Sequence, residues 1–318
     1  MPEFESKLVS LQDKSNIPGM AAGIYRNGQT FWVKLSGYAN KENSIPVTAL
    51  TIFHLASITK TFSAIILVQL ADEGLINLND PVRNYGIQVG GNDTIRIKHL
   101  LTRTSEGIPG TNYHYNGDRF ALLDKVVKVV TGKTIDKLIT ERITQPYDLA
   151  VTSPSVMTLA AINGFDTSAL KMDLVQGYSS SGFNRLAYPQ HFSSAAGLIS
   201  SITDMMTYAA VLDDTILLKN NLKEQLFTPA MSLSGETFPY GLGWFVQYIE
   251  GKKIVWHYGL WTGISSLIIK VPEQKITFVV LANSDMLSSP YPLGAGDLLK
   301  SPYAKVFLNS FVLQGAKL

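Results

Sequence analysis

The sequence predicts an α+β fold in which an antiparallel sheet is flanked by N- and C-terminal helices and carries an inserted all-helical lobe. Strand-like runs lie near both ends of the chain, whereas the middle has mainly helical periodicity. The length of 318 residues exceeds the usual size of one domain. We therefore expect a discontinuous α/β lobe of residues 1–55 and 236–318, a mainly helical lobe of residues 56–235, and a functional site at their interface.

The N-terminal end supplies a predicted helix and a hairpin. Apolar positions recur at helical spacing within Phe4–Ser15. The strand-like runs Met20–Tyr25 and Thr30–Ser36 follow, and Asn27-Gly28 between them is typical of a two-residue hairpin turn. These two runs predict the first strands of the sheet.

The C-terminal third supplies the other predicted strands. Apolar runs separated by turn residues predict four of them, Gly243–Ile249, Lys253–His257, Ser265–Val271 and Ile276–Leu281. A final helix is predicted from Pro302 to Leu313, with Ser301 as its N-cap. Because strands from both ends are expected to share one sheet, the helical stretch between them is expected to be an insertion.

Composition and residue spacing exclude several functional classes. The formal net charge is +2 without a basic stripe, so no nucleic-acid partner is expected. The chain has no cysteine, which excludes disulfides, Cys-ligated zinc and a cysteine nucleophile. His54, His99, His114 and His191 have no metal-ligand spacing and are expected to be structural, so neither a metal nor another cofactor is expected. The longest apolar runs, such as Ile65–Val68, are far shorter than the roughly 20 residues of a membrane span.

The segment Ser57-Ile58-Thr59-Lys60 opens a very apolar helix that is predicted to continue to about Glu73. Residues three apart share a helix face, so Lys60 is expected beside Ser57. Burial favours the neutral form of an amine, which accepts protons, and a helix N-terminus favours negative charge nearby. The pattern alone favours a plain helix N-cap at Ser57, and a second Ser-x-x-Lys, Ser168 to Lys171, has no such helix after it.

The surroundings of Ser57 are more specific than the pair itself. Several segments follow the order and approximate spacing of one family over nearly the whole chain: Phe53–Phe62, Leu75–Val82, Ile95–Gly107, Gln145–Leu149, Ser194–Ser201, Tyr240–Trp244 and His257–Gly259. Together they resemble the serine β-lactamase and penicillin-binding-protein superfamily, in particular its class C-like branch of esterases, D-peptidases and β-lactamases. The resemblance implies a β-lactamase/transpeptidase-like fold.

The resemblance also implies roles for individual residues. Ser57 corresponds to the family nucleophile and Lys60 to its proton acceptor. Tyr115 matches the family tyrosine that helps to deprotonate the nucleophile and reprotonates the leaving group. The family pattern places the two oxyanion-binding N–H groups on Ser57 and Leu260.

Two positions depart from the family pattern. Gly117 stands where the family has an asparagine whose amide contacts the substrate, and Asn116 is the neighbouring candidate for that contact. His257-Tyr258-Gly259 stands in place of Lys-Thr-Gly. We expect Gly259 to let substrate approach the strand backbone and Tyr258 to contact it. Neutral His257 is expected to orient the family tyrosine or to carry a proton, with activity falling on acidification through about pH 6.5.

These features favour a serine hydrolase that forms an acyl-enzyme on Ser57. The favoured substrates are small acyl esters or D-amino-acid peptides, because ester hydrolysis in particular needs no amide recognition at Gly117. Two alternatives remain open: a β-lactamase, and a penicillin-binding sensor with slow or no turnover. The Ser-Asp-Asn and Glu-x-x-Leu-Asn motifs of class A β-lactamases do not occur, nor does the Gly-x-Ser-x-Gly elbow of α/β-hydrolases.

The expected partner is therefore a small-molecule ester, peptide or β-lactam, and nothing in the sequence indicates the oligomeric state. Residues 1–5 contain neither the basic region nor the apolar region of a signal peptide. Two locations stay open: periplasmic or secreted if a signal peptide has been removed, and cytoplasmic if Met1 is the native start.

Overall fold

The computed structural model describes residues 1–89, 95–163, 173–180, 185–186 and 192–313. Its strands, in chain order, are β1 (Gly19–Arg26), β2 (Gln29–Asn40), β3 (Ile45–Pro46), β4 (Phe53–His54), β5 (Gly177–Tyr178), β6 (Arg185–Leu186), β7 (Ile199–Ser200), β8 (Phe245–Ile249), β9 (Lys252–Trp261), β10 (Ile264–Val271) and β11 (Ile276–Ala282). Within these ranges one antiparallel sheet has seven strands in the order β3-β2-β1-β11-β10-β9-β8. The predicted sheet, built from both ends of the chain, is confirmed.

The helices, in chain order, are α1 (Pro2–Lys14), α2 (Thr59–Asp72), α3 (Ile97–Leu101), α4 (Gly117–Ala121), α5 (Leu123–Thr131), α6 (Ile135–Ile139), α7 (Val156–Asn163), α8 (Ile202–Asp213), α9 (Asn220–Leu226) and α10 (Pro302–Phe307). A 3-10 turn, Ala56–Ile58, leads directly into α2. In the part of the chain that the structure describes, no helix has both the length and the apolar character that a bilayer span requires.

The predicted strands differ from the observed ones mainly at their ends, and β2, for example, runs to Asn40 rather than ending at Ser36. β9 runs to Trp261 rather than ending at His257, because its hairpin with β10 pairs Trp261 with Ile264. β8 begins at Phe245 rather than Gly243, since Gly243 has a φ of 77° that belongs to the preceding turn. The longer β9 brings the residues after His257 into regular sheet geometry.

The final helix begins where the sequence predicts it. Ser301 is the N-cap of α10, and its side-chain oxygen accepts a hydrogen bond from the Ala304 N–H at 3.3 Å. Pro302 occupies the first turn, where its missing N–H costs no hydrogen bond. The α-helix ends at Phe307 and a π-helical segment continues to Val312. The predicted helical region therefore has the predicted extent with a change of winding inside it.

Both faces of the sheet are buried. Along β1, Met20 and Ile24 lie in one hydrophobic core whereas Ala21 and Tyr25 lie in another, because successive strand residues point to opposite faces. Side chains of α1 and α10 complete the first core, and those of α2, α5 and α8 contribute to the second. The second core continues from the sheet into the middle helices, so the lobe boundaries at residues 55/56 and 235/236 stay a prediction.

The start of α2 is held against the sheet by two sets of contacts. β4, just before the 3-10 turn, pairs with β7 through Phe53 opposite Ser200 and His54 opposite Ile199. The turn itself packs on β9 and β10. The Leu55 carbonyl accepts a hydrogen bond of 2.8 Å from the Ser266 hydroxyl on β10. These contacts fix the position of Ser57 relative to the end of β9.

Candidate active site

Ser57 and Lys60 meet at the beginning of α2. Lys60 Nζ lies 2.7 Å from Ser57 Oγ and also donates a hydrogen bond to the Ala195 carbonyl. The N-cap position of α2 belongs to Ile58, which makes no side-chain cap hydrogen bond, and the Ser57 hydroxyl faces Lys60 instead. The reading of Ser57 as a plain helix N-cap is therefore wrong. The structure brings the predicted pair into direct contact.

Lys60 is a buried amine without a carboxylate partner among the described residues. Its side chain is 1% exposed, and it takes part in none of the ion pairs of the described chain. Burial lowers the pKa of Lys60 well below its usual value, and the positive charge of Arg103 lowers this pKa further. A neutral amine has a lone pair, which at this distance can accept the proton of Ser57.

The turn that carries Ser57 is strained and closely seated on β9. Ala56 has a φ of 46°, in the left-handed region that costs a non-glycine residue about 1–3 kcal/mol. A Cβ added to Gly259 would lie 2.2 Å from the Leu55 carbonyl oxygen. The close approach expected at Gly259 is thus made by the chain's own backbone, and substrate contact there stays a prediction. The pairing of the Ser57 and Leu260 N–H groups as an oxyanion site also stays a prediction.

Tyr115 lies in the loop before α4 and faces the pair. Its ring is half-buried and stacks on Phe245 with 5.5 Å between ring centroids, and Lys60 Nζ lies 5.7 Å from the Tyr115 centroid. Burial raises the pKa of Tyr115, whereas Arg103 and the Ser57 hydroxyl lower it. The Tyr115 hydroxyl is closed to solvent and, among the described residues, has no hydrogen-bond partner of standard geometry. The side chains of Ser57 and Arg103 nevertheless lie near enough to lower its pKa by hydrogen bonding, which places the hydroxyl beside the reacting atoms.

His257 is fully buried and uses both ring nitrogens. Nδ1 lies 2.7 Å from the Tyr258 carbonyl and Nε2 lies 2.9 Å from the Tyr240 hydroxyl. Because a carbonyl oxygen only accepts, Nδ1 carries the proton and Nε2 of the neutral ring accepts from Tyr240. Burial, together with the charges of Lys60 and Arg103, lowers the pKa of His257 well below its usual value.

The expectations for His257 need correction. Its hydrogen bonds go to Tyr240 and Tyr258 rather than to Tyr115, whose ring centroid is 6.1 Å from that of the imidazole. The expected decrease of activity through about pH 6.5 assumed an ordinary histidine. Because burial lowers the pKa of His257 well below that value, a decrease of activity caused by its protonation is now expected at a lower pH.

The residues after Tyr115 differ from their expected roles. Asn116 is the N-cap of α4, and its Oδ1 accepts the Asp118 N–H at 2.9 Å. The carbonyl half of this amide is therefore committed to the helix, which leaves only Nδ2 for the predicted substrate contact. Gly117 begins α4, and a Cβ added there would meet no atom within 4 Å. Tyr258 does line the site, with its ring centroid 5.6 Å from that of Tyr115.

Two contributors to the site were not identified from the sequence. The Arg103 guanidinium carbon lies 4.6 Å from the Tyr115 ring centroid, and the Ala195 carbonyl accepts from Lys60. Both lie in segments that carry the family resemblance. For Arg103 a signal exists, since it is the single charged residue in the run Leu100–Ser105. The contact at Ala195 cannot be predicted from the residue type, because every residue has a backbone carbonyl.

The other histidines lie outside this constellation. His54 and His99 each accept a backbone N–H on Nδ1, and burial lowers the pKa of each to about 4. His114 Nδ1 lies 3.5 Å from a glutamate oxygen. His191 and the second motif, Ser168 to Lys171, lie outside the described residues. Among the residues that are described, no cluster of His, Asp and Glu has the arrangement of a metal site.

Known proteins share this sequence pattern. A family model described as Beta-lactamase matches residues 4–292. The D-aminopeptidase of Gluconobacter oxydans (strain 621H) is 26% identical over 315 residues, covering 88% of this chain and 58% of that protein. Protein flp of Staphylococcus aureus (strain MW2) is 27% identical over 324 residues, covering 87% and 61%. The chain thus spans about three fifths of the length of these relatives.

Two solved structures share the fold. The octameric penicillin-binding protein homologue from Pyrococcus abyssi superposes with a TM-score of 0.81 at 24% identity, covering 97% of this chain and 77% of that one. The D-alanine carboxypeptidase AmpC from Burkholderia cenocepacia has a TM-score of 0.79 at 20% identity, with 96% and 97% covered. The predicted β-lactamase/transpeptidase-like fold is therefore confirmed. Since the family model also matches most of the sequence, this chain belongs to the Beta-lactamase family.

Proposed function

We propose that this chain is a serine hydrolase that forms an acyl-enzyme on Ser57. The observation that carries the proposal is the 2.7 Å separation of Lys60 Nζ and Ser57 Oγ, with the amine buried and its pKa lowered. A hydroxyl becomes a nucleophile when an adjacent base can take its proton. Family membership agrees with this chemistry, because a D-aminopeptidase and a D-alanine carboxypeptidase are among the similar proteins.

In the proposed acylation, Lys60 and Tyr115 share the proton of Ser57 as its Oγ attacks the acyl carbon. The N–H groups of Ser57 and Leu260 bind the oxyanion of the tetrahedral intermediate, where one such donor is worth about 3–4 kcal/mol. Tyr115 then gives a proton to the leaving group as its bond to the acyl carbon breaks. Water releases the acyl group by the reverse route, and the proposal requires no cofactor.

Covalent labelling tests the nucleophile. A fluorophosphonate reagent is expected to add once to the wild type, and intact-mass spectrometry should detect no adduct on Ser57→Ala. The matched control is Ser168→Ala, because Ser168 begins the second Ser-x-x-Lys sequence and should be dispensable. Labelling of Ser57→Ala at full stoichiometry would refute the assignment.

We propose small acyl esters or D-amino-acid peptides as the substrates, ahead of β-lactams. Gly117 supports this order because it offers no amide to an acylamide side chain. Neutral, buried His257 supports it as well, since it stands where the family has a permanent cation. Hydrolysis of p-nitrophenyl acetate, p-nitrophenyl butyrate and a D-alanine p-nitroanilide should be compared with that of nitrocefin. Fast nitrocefin turnover without esterase or peptidase activity would reverse the order, and an acyl adduct that never turns over would favour the sensor.

The open space at Gly117 permits a sharper test of amide recognition. Gly117→Asn restores the family residue at a position where an added Cβ meets no atom within 4 Å. We expect nitrocefin acylation to rise by about tenfold, the value of one net hydrogen bond, with ester hydrolysis unchanged within about twofold. Gly117→Ala adds the same Cβ without an amide and should leave both rates near the wild type. If nitrocefin acylation rises equally in both variants, the increase comes from a more stable helix and not from recognition of the amide.

A further inference from the structure

Arg103 carries a buried charge that no carboxylate in the described part of the chain neutralises. It is 2% exposed and, among the described residues, forms no ion pair. Glu106, three residues along, lies beside His114 instead, with 3.5 Å between Oε2 and Nδ1. Arg103 also has a φ of 64°, a backbone conformation that costs a non-glycine residue about 1–3 kcal/mol. An unpaired buried cation on a strained backbone is expensive, so a function is expected of it.

Arg103 holds the chain on both sides of Tyr115. Its carbonyl accepts the His114 N–H at 2.8 Å, and its Nη1 donates to the Asn116 carbonyl. The two hydrogen bonds therefore fix the residue before Tyr115 and the residue after it. By holding both neighbours of Tyr115, these hydrogen bonds set the position of its phenol relative to Ser57.

The guanidinium also lies close to the rings around the site. Its central carbon is 4.6 Å from the Tyr115 and Phe120 ring centroids and 5.5 Å from that of Tyr240. Nε and Nη2 are buried and, within the described residues, have no hydrogen-bond partner of standard geometry. A cation at this distance from a ring is attracted to its face, and the attraction becomes stronger when the phenol oxygen carries negative charge.

We propose that Arg103 is the positioning residue of Tyr115, which holds its loop and stabilises negative charge on its phenol oxygen. The inference rests on the proposed function, in which that oxygen exchanges a proton with Ser57 and with the leaving group. The position equivalent to the family lysine holds His257, which is neutral, so the fixed positive charge beside the phenol comes from Arg103. The guanidinium acts through Tyr115 and does not need to touch the substrate.

Other titratable groups also face Tyr115 and set the background for any test. Lys60 lies 5.7 Å from the ring centroid, and the His257 and Tyr258 rings are 6.1 and 5.6 Å away. Tyr240 is 6.2 Å away, and the partly buried Tyr113 lies 6.1 Å from Tyr240. Of these groups only Lys60 is another source of positive charge, and the lowered pKa of Lys60 favours its neutral form. Arg103 is therefore the dominant cation.

A fluorinated tyrosine at position 115 measures this charge directly. 3,5-Difluorotyrosine ionises at lower pH than tyrosine, and its 19F resonance reports the midpoint without any substrate. Removing a cation destabilises the phenolate, so Arg103→Met should raise the midpoint by about one pH unit. Arg103→Lys keeps the charge and should raise it by less than half as much. Arg142→Met removes a partly exposed arginine that pairs with Glu73 at the far end of α2, and should leave the midpoint unchanged.

Activity gives a second readout of the same variants. At a pH below the midpoint, Arg103→Met should reduce the acylation rate by about tenfold with KM unchanged, and Arg103→Lys should restore most of it. An unchanged midpoint in Arg103→Met, or an increase in KM alone, would overturn the proposal. If Arg103→Met does not fold, Arg103→Gln and Arg103→Lys are compared instead. A higher titration midpoint in Arg103→Gln than in Arg103→Lys would support the proposal. Equal midpoints in the two variants would overturn it. If Ser57 forms no acyl-enzyme, the proposed function fails while the fluorine titration still decides the role of Arg103.

Discussion

Lys60 and Lys270 are each 1% exposed, yet their surroundings differ in charge. Lys270, on β10, forms an ion pair with Asp213 at the end of α8. Among the described residues, Lys60 at the start of α2 has only the Ser57 hydroxyl and a backbone carbonyl as hydrogen-bond partners. The two lysines belong to different ends of the sheet, since Lys270 is near the end of β10 whereas Ser57 lies by its beginning.

The comparison indicates which property makes a buried lysine reactive. Burial lowers the pKa of both, but Asp213 opposes the effect at Lys270, whereas Arg103 adds to it at Lys60. A buried amine keeps its proton only where a nearby carboxylate compensates for lost hydration. Burial alone is thus the shared feature, and the missing carboxylate is what makes Lys60 a candidate base.

The largest expected difference between the two lysines is in catalysis. Lys60→Met should reduce the rate of acylation at Ser57 by about 10³-fold, because it removes the proton acceptor. Lys270→Met should leave the rate within about twofold of the wild type. Stopped-flow measurements with p-nitrophenyl acetate at one pH give both rates. A comparable loss in both variants would mean that the counter-ion does not distinguish them.

For stability, the substitution of Lys270 should have the larger effect and that of Lys60 the smaller. Lys270→Met leaves Asp213 without its partner, and we expect it to lower the free energy of unfolding by about 2–3 kcal/mol. This value is below that for a fully buried pair, because the Asp213 side chain is 29% exposed and keeps some hydration. Lys60→Met should not destabilise the protein, since no ionic partner is left behind and an unfavourably buried amine is removed. Urea unfolding of each variant checks this.

An exposed ion pair supplies the control for that measurement. Lys219 pairs with Asp72 at the surface, with the lysine side chain 66% exposed. Lys219→Met should cost less than about 1 kcal/mol, as is usual for exposed pairs. A loss at Lys219 as large as that at Lys270 would show that burial of the pair contributes nothing.

The difference between the two lysines could be predicted from the sequence only in part. Ser57 and Lys60 are three residues apart on a helix, so their contact follows from local geometry. Lys270 is recognisable as a charged residue in an apolar strand, but Asp213 lies 57 positions away and is brought to it by tertiary packing. An ion pair between residues far apart in the sequence, such as Lys270 and Asp213, produces no periodic pattern from which it could be predicted.

The same distinction explains the rest of the site. Apolar runs with turn residues between them predicted the strands of the sheet, because both the run and the turn chemistry are local. The hydrogen bond between His257 and Tyr240, 17 positions apart, and the stacking of Arg103 on Tyr115 were not predicted. His257 is the clearest case: its residue type predicts titration near neutral pH, and only the burial around it indicates that its pKa is lowered.

The two lysines should also differ in how they make stability depend on pH. Below the lowered pKa of Lys60, the amine is protonated in both states and its burial is fully unfavourable. Between that pKa and about 10.4, the unfolded chain binds the extra proton, so the stability of the wild type rises with pH. The slope from one group is at most about 1.4 kcal/mol per pH unit. Lys60→Met should lose this slope, which urea unfolding at several pH values measures.

A comparison with Lys270 tests whether a carboxylate partner accounts for the different pH dependence of the two lysines. Its pKa is also lowered by burial, but Asp213 holds this pKa nearer to the ordinary value, so its own slope begins at higher pH. The stability difference between wild type and Lys60→Met should therefore start to change at a lower pH than the difference between wild type and Lys270→Met. Asp213→Asn should move the onset for Lys270 toward that of Lys60. If the onsets for Lys60 and Lys270 coincide in the wild-type background, the carboxylate is not what keeps Lys270 charged, and burial alone would have to explain both amines.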